Sequence, residues 1–181
     1  MSGRSIPFDQ PGIVEHRQST YWDLRFQEAG LWRAHCRGKK EHWFEEPGMF
    51  EFVSICSKHP LLADYQDPWD QVYLSGPALG PIDLIERLVS AVAEETEDWR
   101  PAERYLNTSI DLSELLAGGS GLLFRAPRRI GRRMAQALFE AGVRSTNLPY
   151  GSESEDVAAL IMGRSFIIAE RFEFENLSGA C

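Results

Sequence analysis

The sequence predicts an α+β protein: a mixed, mainly antiparallel sheet with two amphipathic helices on one face and a C-terminal β-hairpin. Two segments repeat apolar residues at helical spacing, and runs rich in β-branched and aromatic residues lie at both ends of the chain. Near the C terminus, two such runs flank the turn pair Gly163-Arg164. Strand segments at both ends favour an antiparallel or mixed sheet over a doubly wound parallel one.

The domain organisation follows from length and composition. The chain has 181 residues, of which 43% are hydrophobic and 11% aromatic. This suffices for one hydrophobic core, so we predict a single α+β domain over residues 21–176. Residues 1–20 include Pro7, Pro11 and two glycines with little periodicity, and they predict a loosely ordered N-terminal arm. Residues 177–181 are expected to form a flexible tail.

Aromatic side chains dominate the segment that follows the arm. The pattern predicts strands over residues 21–27 and 49–56, separated by the polar connector RGKKEHWFEEPG. A short strand is then predicted over residues 71–74, and it runs into the Gly/Pro-rich loop SGPALGP. These strands would supply the N-terminal part of the predicted sheet.

The first helix is predicted to begin at Pro81, because the fixed φ of proline suits the first helical position. Its predicted buried face carries five apolar residues: Ile82, Ile85, Leu88, Val89 and Val92. The other side carries Asp83, Glu86, Arg87, Ser90 and Glu94. The sequence therefore predicts an amphipathic helix with an acidic outer face.

The second helix is predicted after a buried strand over residues 122–125, with Pro127 near its start and Gly142 at its end. Its predicted buried face carries Ile130, Met134, Ala137, Leu138 and Ala141. The arginines fall on the opposite side: Arg128, Arg129, Arg132 and Arg133. We expect them to face solvent and to pair with carboxylates of the first helix.

The arginines also allow a second interpretation, in which they bind phosphate, nucleic acid or an acidic protein. Phe139 projects near Arg128 and Arg132, where one aromatic ring would suit base stacking. We expect Phe139 instead to be buried at the edge of the helix.

In the predicted C-terminal hairpin, Glu170 falls on the strand face that carries Phe166 and Phe172. We expect a bulge or twist to turn this carboxylate outward. The alternative is a buried carboxylate with a raised pKa that serves as a catalytic acid or base.

Metal-binding residue types are concentrated in the N-terminal third: His35, Cys36, His42, Cys56 and His59. The spacing of Cys56 and His59 suits zinc, but that of Cys36 and His42 matches no common zinc motif. We predict no metal and no cofactor. The string GGSG around Ser120 lacks the spacing of a nucleophile elbow, so no catalytic residue is predicted.

Charge gives the main indication of function. The formal net charge is −8, although residues 124–144 contain a surplus of arginine. The predicted recognition face consists of Asp83, Glu86, Glu94, Glu95, Glu97, Asp98, Glu153, Glu155 and Asp156, with Trp99 and Tyr150 as aromatic anchors. Such a face would steer a cationic protein into contact.

The leading hypothesis is therefore a non-enzymatic acidic protein-binding module, for example an inhibitor or immunity-type neutraliser of a basic enzyme or toxin. The first alternative is an enzyme with an unfamiliar site that uses Glu170 or the histidine and cysteine cluster. The second is an RNA- or anion-binding protein that uses the arginine-rich helix.

Compartment and remaining partners follow from composition. No apolar run is long enough to span a bilayer, and residues 1–20 lack the apolar centre of a secretory signal. Three unevenly spaced cysteines do not suggest a disulfide framework. We expect a cytoplasmic protein that does not bind membranes. Because the whole chain is acidic, binding to nucleic acid is not expected.

Overall fold

The computed structural model describes residues 9–18, 20–151 and 154–178. Within these residues, the chain forms four α-helices and twelve strands, and all the strand pairs are antiparallel. The predicted α+β class is confirmed. The strands form three sheets, however, so the prediction of one sheet was wrong.

The chain divides into two compact units. The first unit takes its residues from Met1–Leu62 and Asp156–Cys181, and the second unit is Ala63–Glu155. Most of both units falls within residues 21–176, for which the sequence predicts one domain. That the two units fold as one domain stays a prediction.

The first unit is built from two sheets. The strands are β1 (Gly12–Arg17), β2 (Tyr21–Phe26), β3 (Gly30–Arg37), β4 (Glu41–Trp43), β5 (Met49–Phe50), β6 (Val53–Cys56), β10 (Ala158–Met162), β11 (Ser165–Ala169) and β12 (Arg171–Asn176). One sheet has the strand order β12-β3-β2-β1-β5 and the other β4-β11-β10-β6. Trp22 and Leu24 from one sheet share a buried core with Leu160 and Ile167 from the other.

Several predicted boundaries differ in this unit. The predicted loose arm contains strand β1, which is ordered because Val14 is buried in the core. Residues 1–8 and 19 lie outside the described residues. The predicted strand over 49–56 is two short strands in different sheets. The polar connector contains β4, and β3 was not predicted. In the predicted tail, the Leu177 backbone N–H donates to the Leu31 carbonyl, and residues 179–181 lie outside the described range.

The predicted hairpin is confirmed: β10 and β11 pair around Gly163-Arg164. The second strand of that hairpin does not continue as predicted, because the chain leaves the β conformation at Glu170. Strand β11 pairs with β4, whereas β12 pairs with β3 in the other sheet. Phe166 and Phe172, which were predicted to share one strand face, therefore belong to two sheets.

The second unit is a three-stranded sheet with helices on one face. Its elements are α1 (Ala63–Gln66), β7 (Trp69–Ser75), α2 (Pro81–Thr96), α3 (Leu112–Gly118), β8 (Ser120–Pro127), α4 (Arg128–Glu140) and β9 (Ser145–Pro149). The strand order is β8-β7-β9. Because α4 joins β8 to β9 with β7 between them, these elements form a split β-α-β arrangement. Leu106 forms an isolated bridge with Phe124 of β8.

The faces of this sheet differ in burial. Val72 and Leu74 of β7 are buried in the core that also contains Leu88 of α2 and Met134 of α4. Side chains alternate along a strand, so Gln71 and Tyr73 of β7 point to the other face. We call that other face the open sheet face.

Both predicted helices are confirmed, but the buried face of α2 is rotated relative to the prediction. Its buried residues are Leu84, Leu88, Ala91, Val92 and Thr96. Ile82 and Val89, which were predicted to be buried, are 67% and 41% exposed. The reason is that α2 packs beside α4, so that the side facing α4 is covered as well as the side facing the sheet.

Candidate functional site

The arginines of α4 are largely engaged within the second unit. Arg128 contacts both carboxylate oxygens of Asp70 at 3.3 Å, and Asp70 is buried on β7. The side-chain amide of Asn147 donates to the same carboxylate at 3.4 Å. Arg128, the first residue of α4, thus neutralises the buried carboxylate of Asp70 on β7.

Two further arginines of α4 pair with α2, as the sequence predicts. Arg133 Nη2 donates to Glu94 Oε2 at 2.6 Å, and this hydrogen bond raises the pKa of Arg133. Arg129 Nε lies 3.6 Å from Glu95 Oε2. These contacts explain why an acidic protein carries an arginine-rich helix: the cations join α4 to the acidic helix beside it.

The exposed ridge of α4 is formed by Arg132 and Phe139. Arg132 is exposed, and no ion pair found among residues 9–18, 20–151 and 154–178 involves it. Phe139 is 82% exposed, so the prediction that it is buried was wrong. At about 100° per residue, Phe139 projects almost opposite Met134, which faces the core.

The acidic residues of α2 fall into two groups. Glu94 and Glu95 are paired with arginines of α4. Asp83 and Glu86 are exposed, and neither takes part in an ion pair within the described chain. The same holds for Glu97 and Asp98, which follow the helix and have positive φ values of 50° and 61°. The second group is thus exposed and outside any ion pair of the described residues.

Exposed apolar side chains lie next to the unpaired carboxylates. We call Leu79, Ile82 and Val89 the α2 apolar stripe; all three are exposed. Leu79 lies two residues before the first residue of the helix. Ile82 and Val89 are seven residues apart, which is about two helical turns, and so lie on one side of the helix. Asp83 and Glu86 neighbour this side on the helix surface.

A shallow groove runs along the other side of α2, between it and α4. Its lining is Asp83, Glu86, Arg87, Ser90, Ala91, Glu94, Arg133, Ala137 and Glu140. Carboxylates outnumber guanidinium groups in this lining. The acidic residues of α2 therefore separate an apolar stripe from a polar groove.

The remaining predicted partner-binding residues are dispersed. Tyr150 is 48% exposed on the open sheet face, away from the helices, and Trp99 is partly buried. Glu155 is exposed in the second unit, whereas Asp156 is exposed in the first. Glu153 lies outside the described residues. Within the second unit, the structure brings together the acids of α2 but not Tyr150.

The histidine and cysteine residues do not form a common site. Cys36 is buried in the first core, while His35 points the other way and lies 3.3 Å from Glu175. The His42 ring packs edge-on against Trp22. Cys56 is partly buried, and His59 Nδ1 accepts from the Leu61 backbone N–H. Among the residues with described positions, no group of three or more His, Cys, Asp or Glu is arranged to hold a metal ion.

Glu170 lies where the chain passes from one sheet to the other. Its side chain is exposed, and Lys40 Nζ lies 3.0 Å from its Oε1. The prediction that it turns outward is confirmed. This exposed position differs from the buried one on which the catalytic alternative depends.

A buried ionic cluster in the second unit was not predicted from the sequence. The Tyr105 hydroxyl donates to Asp64 at 2.8 Å, and the guanidinium groups of Arg100 and Arg104 contact the same carboxylate. Burial raises the pKa of Tyr105. The cluster joins α1 to the segment after α2, so it is a structural feature of the core.

Comparison with known proteins adds no family: no protein-family model, curated protein or solved structure matches this chain. None of the helices in the described ranges has the length and apolar character of a membrane-crossing segment. The fold class and the surfaces of α2 and of the sheet are therefore the basis for inferring function.

Proposed function

We propose that this protein is a non-enzymatic protein-binding module that docks a basic partner on α2. The observation that carries the proposal is the α2 apolar stripe beside the unpaired carboxylates Asp83 and Glu86. A stable recognition patch typically has an apolar centre and a polar rim. Here the stripe would be the centre and the carboxylates the rim.

The contacts that hold α2 in the second unit also support the proposal. Leu84 and Leu88 hold the helix in the core, and the pairs with Arg129 and Arg133 hold it beside α4. A docking surface on a fixed helix loses little conformational entropy when a partner binds. The surface is therefore preorganised.

The charges define the partner. Asp83, Glu86, Glu97 and Asp98 would attract lysine and arginine residues that surround an apolar contact on the partner. Electrostatic attraction of this kind increases the association rate at low ionic strength more than it increases final affinity. An inhibitor or immunity-type neutraliser of a basic enzyme or toxin is one form that such a module would take.

Affinity capture from cells of the source organism, with three variants beside the wild type, tests the proposal. Ile82→Asp/Val89→Asp removes the apolar centre, and Asp83→Lys/Glu86→Lys reverses the rim. Glu28→Lys/Glu51→Lys is the matched control, because it makes the same change in net charge at exposed positions of the first unit.

We expect the wild type and the control to retain the same basic protein. The apolar variant should lose it at every salt concentration. The rim variant should bind it about tenfold or more slowly at low salt, with the difference shrinking as salt is added. Equal capture by all four proteins would contradict the proposal, as would a captured partner that is acidic.

A further inference from the structure

The open sheet face is the second exposed surface of the second unit with a distinct chemistry. Strand pairing places Gln71 between Arg125 and Leu148, and Tyr73 between Leu122 and Thr146. Beyond β9, the Tyr150 backbone N–H donates to the Trp69 carbonyl, and the contact of the Tyr150 ring with the Arg125 guanidinium places the ring on the same face. Arg125, Leu148 and Tyr150 are exposed, and Tyr73 is partly exposed.

This face has no carboxylate among these positions, although the chain contains 27 acidic residues. Between Gln71 and Ser75 of β7, its side chains are Gln71, Tyr73, Ser75, Ser120, Leu122, Arg125, Thr146 and Leu148, and Tyr150 adjoins Arg125. Arg125 gives the face a positive charge, whereas the helical layer of the same unit displays unpaired carboxylates. The two layers of the second unit therefore present opposite charge.

Aromatic and polar groups on the face are arranged for stacking and hydrogen bonding. The guanidinium carbon of Arg125 lies 4.9 Å from the centre of the Tyr150 ring, so a cation and an aromatic plane are adjacent. The Tyr73 hydroxyl donates to Gln71 Oε1 at 2.9 Å, and Ser75 and Thr146 add hydroxyl groups at 3.2 Å from each other. Tyr73 and Tyr150 thus stand among donors and acceptors on the open sheet face.

We propose that the open sheet face binds single-stranded nucleic acid, with bases stacked on Tyr150 and Tyr73 and a phosphate paired with Arg125. Aromatic rings and guanidinium planes on an exposed antiparallel sheet are a general means of holding unstacked bases. A single-stranded ligand supplies the flat rings and the negative charge that this face complements. Duplex nucleic acid does not fit, because its bases are already stacked and are not free to stack on side chains of the sheet.

The low charge of the face predicts a weak dependence of binding affinity on salt concentration. A single strand loses affinity with a logarithmic slope of about 0.7 for each phosphate that is neutralised. One or two ionic contacts, from Arg125 and from Arg144, whose backbone carbonyl accepts from the Ser75 N–H, give a slope of about 0.7 to 1.4 in magnitude. The proposal is therefore compatible with the acidic net charge, because stacking rather than ion pairing supplies most of the affinity.

The test is fluorescence anisotropy of the full chain with labelled oligouridine RNA and oligothymidine DNA of about ten nucleotides. Tyr150→Ala and, separately, Arg125→Gln should each weaken binding about tenfold or more. Arg132→Gln/Phe139→Ala, which alters the exposed ridge of α4, should leave binding unchanged. Both altered residues of the face are exposed, and thermal denaturation checks that each variant is folded.

Preference between the RNA and DNA probes identifies the class of strand that the face holds. The proposal is overturned if neither probe binds at a protein concentration of about 1 μM, which is about 100 times the dissociation constant of a weak specific complex. It is also overturned if the α4 variant loses binding while Tyr150→Ala keeps it, or if the salt slope exceeds about 3, since either result assigns the ligand to the arginines. Sedimentation that shows a dimer dissociated by Tyr150→Ala would assign the face to a second copy and equally overturn it.

Discussion

Asp70 and Arg128 form the contact in which a single side chain has the clearest structural role. The carboxylate is buried on the central strand of the second unit, and its partners are Arg128 and Asn147. A buried carboxylate without its cation retains its desolvation penalty. This contact therefore distinguishes Arg128, which the fold requires, from the neighbouring arginines of α4.

We predict that Arg128→Gln lowers the free energy of unfolding by about 1–3 kcal/mol, because it leaves Asp70 with only an amide partner. Arg132→Gln is the matched control and should change stability by less than about 0.5 kcal/mol, because Arg132 is exposed and unpaired in the described chain. Urea denaturation measures both. Equal effects of the two substitutions would contradict the assigned roles.

Cys36 and Cys56 provide a second comparison between individual side chains. Burial raises the pKa of the Cys36 thiol to about 11, whereas Cys56 is only partly buried. We predict that iodoacetamide at neutral to mildly alkaline pH modifies Cys56 and leaves Cys36 unmodified until the protein unfolds, because the reactive species is the thiolate. Peptide mapping by mass spectrometry distinguishes the two. Modification of Cys36 at the rate of Cys56 would show that it is not in the core.

The raised pKa of Cys36 also fixes the sign of a pH effect. The folded pKa lies above the ordinary value of 9.0, so the unfolded thiol ionises first as pH rises. The stability associated with the protonated thiol is therefore complete below about pH 9 and is lost progressively towards pH 11. We predict a smaller loss over this interval in Cys36→Ala, measured by thermal denaturation. An equal loss in both proteins would contradict this assignment.

At the scale of elements, α2 shows which apolar residues a helix buries. The adjacent residues Leu88 and Val89 were both predicted to be buried, but only Leu88 is. We predict that Leu88→Ala costs about 2–5 kcal/mol of stability, whereas Val89→Ala costs less than about 1 kcal/mol. Chemical denaturation of the two single variants tests the helix orientation. A larger loss for Val89→Ala would place the α2 apolar stripe in the core.

Helix ends give a matched pair of glycines. Gly119 caps α3 with φ of 69°, and a Cβ there would lie 2.2 Å from the Pro77 backbone nitrogen. Gly142 follows α4 with φ of 70° and has open space around it. We predict that Gly142→Ala costs about 1–2 kcal/mol from backbone strain alone, and that Gly119→Ala costs more because of the added clash. Similar melting temperatures for the two variants would contradict the close approach.

The elements that sequence reasoning found are those governed by local signals. Pro81 and Pro127 mark the starts of α2 and α4, and Gly163 marks the hairpin turn. The side of α2 that is buried depends on a neighbouring helix, so helical periodicity alone placed Ile82 and Val89 wrongly. The interruption at Glu170 likewise depends on pairing with distant strands, β4 and β3.

At the scale of the whole molecule, the chain leaves the first unit after Leu62 and returns to it at Asp156. The first unit therefore requires both ends of the chain: β6 pairs with β10, and β3 pairs with β12. Such pairing between residues more than a hundred positions apart gives no local signal, which is why the number of sheets was not predictable. The continuous second unit contained most of the successful predictions.

This organisation predicts the behaviour of fragments. A fragment of residues 63–155 retains a complete sheet, its helices and its own core, so we expect helical circular dichroism and a cooperative thermal transition. A fragment of residues 1–62 lacks β10, β11 and β12, and we expect it not to fold. A folded 1–62 fragment together with an unfolded 63–155 fragment would contradict the division into units.

The central claim is that α2 is a docking surface for a basic protein, and site-specific photo-crosslinking in cells of the source organism tests it most directly. A photoreactive amino acid is placed at Val89 in the α2 apolar stripe and, as controls, at Gln136 on α4 and Glu28 in the first unit; all three positions are exposed. We expect one discrete adduct from Val89, with a basic protein, that disappears when Ile82→Asp is added. An adduct formed equally at the three positions, or one that persists with Ile82→Asp, would contradict the claim.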